Sequence, residues 1–398
     1  MRPCHYTITR SEVHYHTQQR LEQHLHLPDY SSKCTRSVLV AVVLAAAARL
    51  SSLFATCARL ARAPSAETVR KAVLATLPPQ AELARRLNQA LGADLPRALK
   101  RRRQRLAIDL TLVPYHGQPS ADEREIYRGQ PRDGTSHFHA YATAYVIRHG
   151  QRFTVALTPV TQDEPLANVV RRLLQQASRV GVKPQLLLLD RGFCSVGVIR
   201  YLQAARYPFL MPIPFRGRKL SHPKGPSGTQ AFRLWRRSGW SRYTLTETGG
   251  RTATVGICVK CRNYRGQWQR HGRQVLVYAY WGFEPPSCEW VQQTYRQRFA
   301  IETSYRQMQQ ARIRTCSRSP LVRLFLIGVA LLLRNVWVWL HYEVLSTPRR
   351  GGRRVNLERL RFETVLVWLL HVVEETFGVC DAIGSERALP TPLTTPSQ

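Results

Sequence analysis

Residues 184–193 read PQLLLLDRGF, four consecutive leucines closed by an aspartate and a glycine-containing turn. Successive strand residues face opposite sides of a sheet, so an apolar run without alternation suits a strand covered on both faces. The flanking segments agree with a layered α/β fold. LAIDLTLVPYH (106–116), HFHAYATAYVIRHG (137–150) and RFTVALTPV (152–160) read as strands, the last two joined by a hairpin at His149-Gly150. PLANVVRRLLQQASRVG (165–181) has helical apolar spacing and stops at Gly181, a natural C-cap. SVGVIRYLQAAR is then helix and YPFLMPIP strand. Three strands, helix, strand, helix, strand predict an α/β layer with a mixed sheet.

The rest of the chain divides around this core. Residues 1–35 are polar and His-rich and read as a solvated tail. Residues 36–104 read as short helices ending in the basic run KRRRQR, which suits a helical DNA-binding region or a purely structural cap. The core runs over 105–214 and is interrupted by a basic, β-rich insertion at 215–286. Helix returns over 287–346 to complete the core, and 347–398 hold a last helix and a Pro/Thr tail. Two apolar stretches, 38–48 and 321–345, are too short or too interrupted by Arg323, Arg334, Asn335 and His341 to read as membrane spans, so both are expected as buried helices.

Lys and Arg number 59 against 25 Asp and Glu, a net charge of +34 carried mainly by arginine. A folded chain with that excess points to a polyanion partner, and arginine is the residue that forks onto phosphate oxygens. The nine cysteines follow no framework spacing and the start of the chain lacks an apolar leader core, which together suggest a reduced, cytoplasmic setting. Cys258-x2-Cys261 is half a zinc motif without a second half, and reads as coincidence on a strand.

Scarce acids in such a chain need a reason. Asp109 interrupts the apolar strand LAIDLTLV, and Asp190 ends LLLLD where a strand gives way to a turn. A charged carboxylate in or beside a buried strand is costly unless it is paired or binds metal. Glu302 sits in YRQRFAIETSYRQ, four residues from both Arg298 and Arg306, a spacing that permits simple helix ion pairs. The same helix places Tyr295, Arg298, Glu302 and Gln309 on one stripe: a hydroxyl, a phosphate-binding fork and a possible ligand. Three carboxylates brought together can hold two divalent ions for phosphodiester chemistry, and Mg2+ suits oxygen donors. Glu284 and Glu289 are competing third acids without that stripe, and Arg191 either touches DNA or pairs with an acid. His116 and His137 read as sheet-surface residues, and the insertion tryptophans Trp235, Trp240, Trp268 and Trp281 as core or surface unless a base stacks on one.

AIDLTLVPYHG, LLLLDRGF and Y-x2-R-x3-E together resemble the three signature regions of DDE insertion-sequence transposases, in the IS-four-like superfamily and its ISH-three-type branch. The resemblance covers about residues 105–343 and includes ETSYRQMQQARIRT and LLLRNVWVWLH. It implies an RNase H-like catalytic core with a β-rich segment inserted between the second Asp and the Glu. Carried over, Asp109, Asp190 and Glu302 would bind Mg2+, with Mn2+ as a substitute. Tyr295 and Arg298 would contact DNA phosphates near the element end. The family signature ends in a lysine where this chain has Gln309, and Arg306 or Arg312 is available to supply that charge. The resemblance further implies cleavage at terminal inverted repeats, joining to target DNA, a dimer or larger synaptic complex, and a prokaryotic, nucleoid-associated location. Two other readings share these motifs: a domesticated copy that binds DNA without cutting, and a resolvase-like nuclease that cuts without joining.

Overall fold

Strand β1 (Gln104–Pro114) organises the molecule. The structure, a computed structural model, describes residues 7–118, 122–266, 271–350 and 352–381. Before β1 come the helices α1 (Arg10–Leu25), α2 (Arg36–Ala48), α3 (Leu53–Arg59), α4 (Ala66–Thr76), α5 (Gln80–Ala93) and α6 (Arg97–Arg101). After it come β2 (Tyr127–Arg132), β3 (Thr135–Val146), β4 (Thr154–Val160), α7 (Leu166–Arg179), β5 (Pro184–Leu189), α8 (Val196–Ala204) and β6 (Phe209–Pro212). β1 pairs with β3 antiparallel and with β5 parallel, and β6 adds parallel to β5. β4 pairs with β3, so β3 and β4 form the expected hairpin, and Gly181 closes the turn after α7 at φ +84°. The sheet is mixed, as the order of segments predicts.

The side-chain period of two sorts the sheet into two faces. Leu187, Leu189, Phe209 and Met211 join the main core with Val169, Leu173, Ile199 and Leu202 of α7 and α8. Leu186, Leu188 and Leu210 face the other way, against Val291 and Tyr295. Those last two belong to α9 (Cys288–Arg296), which a 3-10 turn at Gln297–Phe299 joins to α10 (Ala300–Gln309). Ala107 of β1 meets Ile301 of α10 on that same second face. The run of leucines is therefore covered on both sides, which is why it shows no alternation.

The inserted segment is β-rich as expected, and it extends the core sheet. β7 (Gly239–Thr246), β8 (Thr252–Arg265) and β9 (His271–Trp281) form an antiparallel set. β9 then pairs with β6, matching Phe209 with Trp281. The insertion thus stands at a fixed place beside the core.

Two expectations at the ends of the chain need correction. Residues 10–25 form α1 where a solvated tail was expected, with Val13, Thr17, Leu21 and Leu25 buried at four-residue spacing. Thr9 and Glu12 close a capping box at its start, Arg20 pairs with Asp94, and His16 stacks on Trp339 at 4.1 Å. α1 lies against α2, α5 and α12 (Phe362–Phe377), so the first and last helices close on each other. The stretch NLERLRFETVLVWLLHVVEETF (356–377) reads as one helix from its sequence, and the structure starts that helix only at Phe362. The two apolar stretches are buried as expected: α2 carries nine consecutive buried residues from Leu39 to Ala47. α11 (Pro320–Trp339) is long and apolar enough to cross a membrane, yet 94% of its most apolar window lies inside the protein. Its Arg334 is 1% exposed and bonds through all three nitrogens, donating to the Arg152 carbonyl at 2.7 Å, Tyr145 Oη at 2.9 Å and Gln307 Oε1 at 3.2 Å.

Candidate active site

Parallel pairing of β1 with β5 runs through Ile108 and Leu189, so the next residues on each, Asp109 and Asp190, are neighbours across the sheet. Adjacent strands lie about 4.8 Å apart. Asp109 shares the parity of Ala107, and Asp190 that of Leu188, which aims both at the face covered by α9 and α10. Asp190 ends its strand, and its carboxylate accepts from the Gly192 amide at 3.3 Å, which starts the turn at Arg191. α10 brings Glu302 over the same spot. Three distant segments thus place three carboxylates together.

Arg298 joins them. Its Nη1 donates to Asp109 Oδ2 at 3.0 Å, its Nη2 donates to Glu302 Oε1 at 3.0 Å, and the same Nη2 stands 3.4 Å from Asp190 Oδ1. The helix ion pair Arg298–Glu302 and the three-acid cluster are therefore one arrangement, where the sequence offered them as alternatives. Arg298 is 5% exposed, so in this structure it is a buried cation beneath the acids, not a solvent-facing fork. The 3-10 turn produces that inward aim by tightening the backbone at Gln297–Phe299. Tyr295 is likewise buried, its ring 5.3 Å from that of Tyr278, with the Arg298 guanidinium 5.6 Å from its centre. Glu302 stays at the rim with its side chain 51% exposed.

Electrostatics show what the cluster lacks. Burial pushes the Asp109 carboxyl up to about 6; Arg298 and the Leu110 amide oppose that shift, and Asp190 and Glu302 reinforce it. Burial draws the Arg298 guanidinium down, but Tyr295, Asp109, Asp190 and Glu302 together hold it above its ordinary value. One guanidinium among three carboxylates leaves the site short of positive charge, and all the donors are hard oxygens. These residues fit a divalent ion of the Mg2+ kind. Among the described residues no three His, Cys, Asp or Glu groups stand close enough to share one ion, because the acids are spread around Arg298. The same holds for Cys258, Cys261 and Cys288.

Other expected residues scatter. Arg306 is exposed, with Nη2 3.4 Å from Thr303 Oγ1, and makes no pair with Glu302. Gln309 is half-buried at the end of α10, and Arg312 lines a separate pocket. Arg191 lines a chamber of about 670 Å3 beside Asp190, with Arg262, Arg296, Tyr295 and Phe299 in its walls. Gln292, 2% exposed, also lines it, and its Oε1 has no partner among the described residues. None of the insertion tryptophans among the described residues does, Trp240 and Trp281 lining another cleft; Trp268 lies outside the described residues. His116 is exposed and His137 half-buried, and neither pairs with the triad.

One residue escaped the sequence reading. The Tyr305 hydroxyl lies 2.7 Å from Thr143 Oγ1 and donates to the Asp109 carbonyl at 3.2 Å, tying α10 to β1 at Asp109. Asp109 and Thr143 are register partners. Its signal was the three-residue step from Glu302, which places Tyr305 on a neighbouring part of the helix face.

A family model for the transposase DDE domain matches residues 100–335. Among solved structures, a piggyBac transposase synaptic complex with hairpin DNA aligns with a TM-score of 0.55 at 9% identity, covering 95% of this chain and 82% of that one. At that identity the likeness is one of fold, and it agrees with the RNase H-like core that the sequence resemblance implies. No curated protein sequence matches the chain significantly. DDE transposases use divalent metal ions, in keeping with the donor set here. With its matched region holding all three carboxylates and Arg298, the chain belongs to the transposase DDE domain family.

Proposed function

We propose that this transposase cleaves phosphodiesters at the ends of an insertion sequence and joins the freed 3′-hydroxyls to target DNA. Asp109, Asp190 and Glu302 are assigned as ligands for Mg2+, with Mn2+ able to substitute. The observation that carries this reading is the meeting of three acids, from β1, the end of β5 and α10, on the guanidinium of Arg298. When bound, divalent ions supply Lewis-acid activation of the attacking and leaving oxygens.

The remaining work falls to the chain. Arg298 keeps Asp109 and Glu302 within reach of each other by bonding both. Tyr305 fixes the height of α10 over β1. Arg191, Arg262 and Arg296 give the chamber beside Asp190 a cationic wall suited to the backbone of a DNA end. Tyr295 supports Arg298 and shapes that wall, while Arg306 offers an exposed charge on α10 for flanking phosphate. The helical region before β1 is assigned to terminal inverted repeats. Joining two ends calls for a dimer or larger synaptic complex, in a prokaryotic cytoplasm where the nucleoid is the target.

Strand transfer tests the reading. Pre-cut element-end DNA with a free 3′-hydroxyl is incubated with protein, Mg2+ and a supercoiled target. Joined products support a transposase. Cleavage of uncut ends with no joining marks a resolvase-like nuclease, and binding alone marks a DNA-binding relic.

A further inference from the structure

Beyond the far end of β1 lies a second cationic site. Val113 and Pro114 of β1, Tyr141 of β3, the extended stretch after α10 and the first turns of α11 enclose a pocket of about 170 Å3. That is several times the roughly 30 Å3 share of a liquid water molecule, enough for a phosphate group. Arg312, Arg314 and Arg323 all line it. Among the described residues none of the three has a carboxylate within ion-pair distance, whereas Arg298 at the candidate active site meets three.

The pocket is built, not incidental. Arg323 is 9% exposed and is held by bonds from Nε to the Ser317 carbonyl at 2.7 Å and from Nη2 to the Thr315 carbonyl at 3.4 Å. Its guanidinium lies 4.8 Å from the centre of the Tyr115 ring. Arg314 is anchored through its amide, which donates to the Ser51 carbonyl at 3.1 Å. The Arg312 guanidinium is half-buried, and its charge is disfavoured first by that burial and then by the fields of Arg323 and Arg314. The acid whose field helps Arg312, Asp133, is already 3.4 Å from Arg132. Like charges held together without a counterion are unfavourable, and an anion entering the pocket relieves that strain.

We propose that Arg312, Arg314 and Arg323 hold a backbone phosphate of the DNA whose cleavage the acids carry out. This rests on the transposase reading above. Val113 and Pro114 follow Asp109 by four and five residues along β1, roughly 13–17 Å at the strand rise. For a duplex laid along β1, at about 3.4 Å per base pair, the gripped phosphate lies about four or five base pairs from the scissile one. The site therefore sets the register of the duplex against the catalytic acids.

The test uses full-length protein, element-end DNA and the double variant Arg312→Gln/Arg314→Gln, which leaves the buried Arg323 in place. The variant should bind about tenfold or more weakly, and its slope of log affinity against log salt should be shallower by about 1. A single neutral methylphosphonate four or five base pairs from the cut should weaken the wild type to a similar degree and leave the variant unchanged. Equal affinity and equal slope for the two proteins would overturn the pocket while leaving DNA binding intact. Scanning methylphosphonates on the wild type alone keeps the proposal open to refutation if the variant misfolds: no sensitive linkage in that window overturns it. Stabilisation of the wild type by inorganic phosphate, absent in the variant, with unchanged DNA affinity would assign the pocket to a free anion. Failure of the wild type to bind element ends at all would instead remove the transposase reading on which this rests.

Discussion

Arg298 Nη1 donates to Asp109 Oδ2 at 3.0 Å across 189 residues of chain, with 6% and 14% of the two side chains exposed. The contact pins the turn between α9 and α10 to the central strand. It also makes the guanidinium the counter-charge for a site that is rich in acid.

Arg298→Gln should therefore destabilise the protein by roughly 3–5 kcal/mol in chelator, the usual penalty for stripping one partner from a buried charge cluster. Adding millimolar Mg2+ or Mn2+ should restore much of the loss. Chemical denaturation with and without divalent ions reads this directly. A variant as stable as the wild type in chelator would show that the acids do not depend on Arg298.

Asp109 gives a pH signature. Its folded value of about 6 stands above the ordinary 3.8, so the favourable state is the protonated one. The associated stability is fully present below about pH 4 and is lost as pH rises through 6, on the order of 3 kcal/mol for a two-unit shift. Asp109→Asn cannot ionise and should lack that loss. Stability of the wild type minus that of the variant, measured in chelator from pH 4 to 7, should fall across this window. A flat difference would contradict the burial argument.

Tyr305→Phe deletes a hydroxyl that bridges Thr143 and the Asp109 carbonyl. Leaving those partners unsatisfied should lower stability by about 1–3 kcal/mol. End-DNA affinity should stay close to wild type while the cleavage rate drops, because the hydroxyl positions the acids and does not face DNA. A loss of affinity with no change in rate would remove its positioning role.

The first helix is tested by Leu21→Ala. Leu21 is 3% exposed against the helical core, so truncation should cost about 2–5 kcal/mol. A change near zero by denaturant titration would restore the solvated-tail reading.

Legibility in the sequence followed local chemistry. The leucine run of β5 and the apolar stretch of α11 announced themselves, because burial on all sides leaves little room for polar residues, and the few that interrupt α11, such as Arg334, are hydrogen-bonded inside the protein. Asp109 and Asp190 were legible for the converse reason, as acids placed where a charge is expensive. α1 was not: its helix shows one buried residue per turn, and His16, Thr17 and Arg20 use polar atoms or ring faces to pack. The inward turn of Arg298 was hidden as well, since helix spacing cannot reveal a 3-10 turn at residues 297–299. Pocket-forming partners such as Arg312 and Arg323 come together only where the stretch between α10 and α11 folds back beside the end of β1, a tertiary fact without local signature.

Asp109, Asp190 and Glu302 are proposed to form one metal-dependent nuclease centre. Labelled element-end DNA, incubated with Mg2+ or Mn2+ and either wild type or Asp190→Asn, tests it most directly. The wild type should nick at the element end only with the divalent ion, and the variant should lose at least about a hundredfold in rate with binding retained. Binding without nicking by either protein, or equal nicking by both, would contradict it.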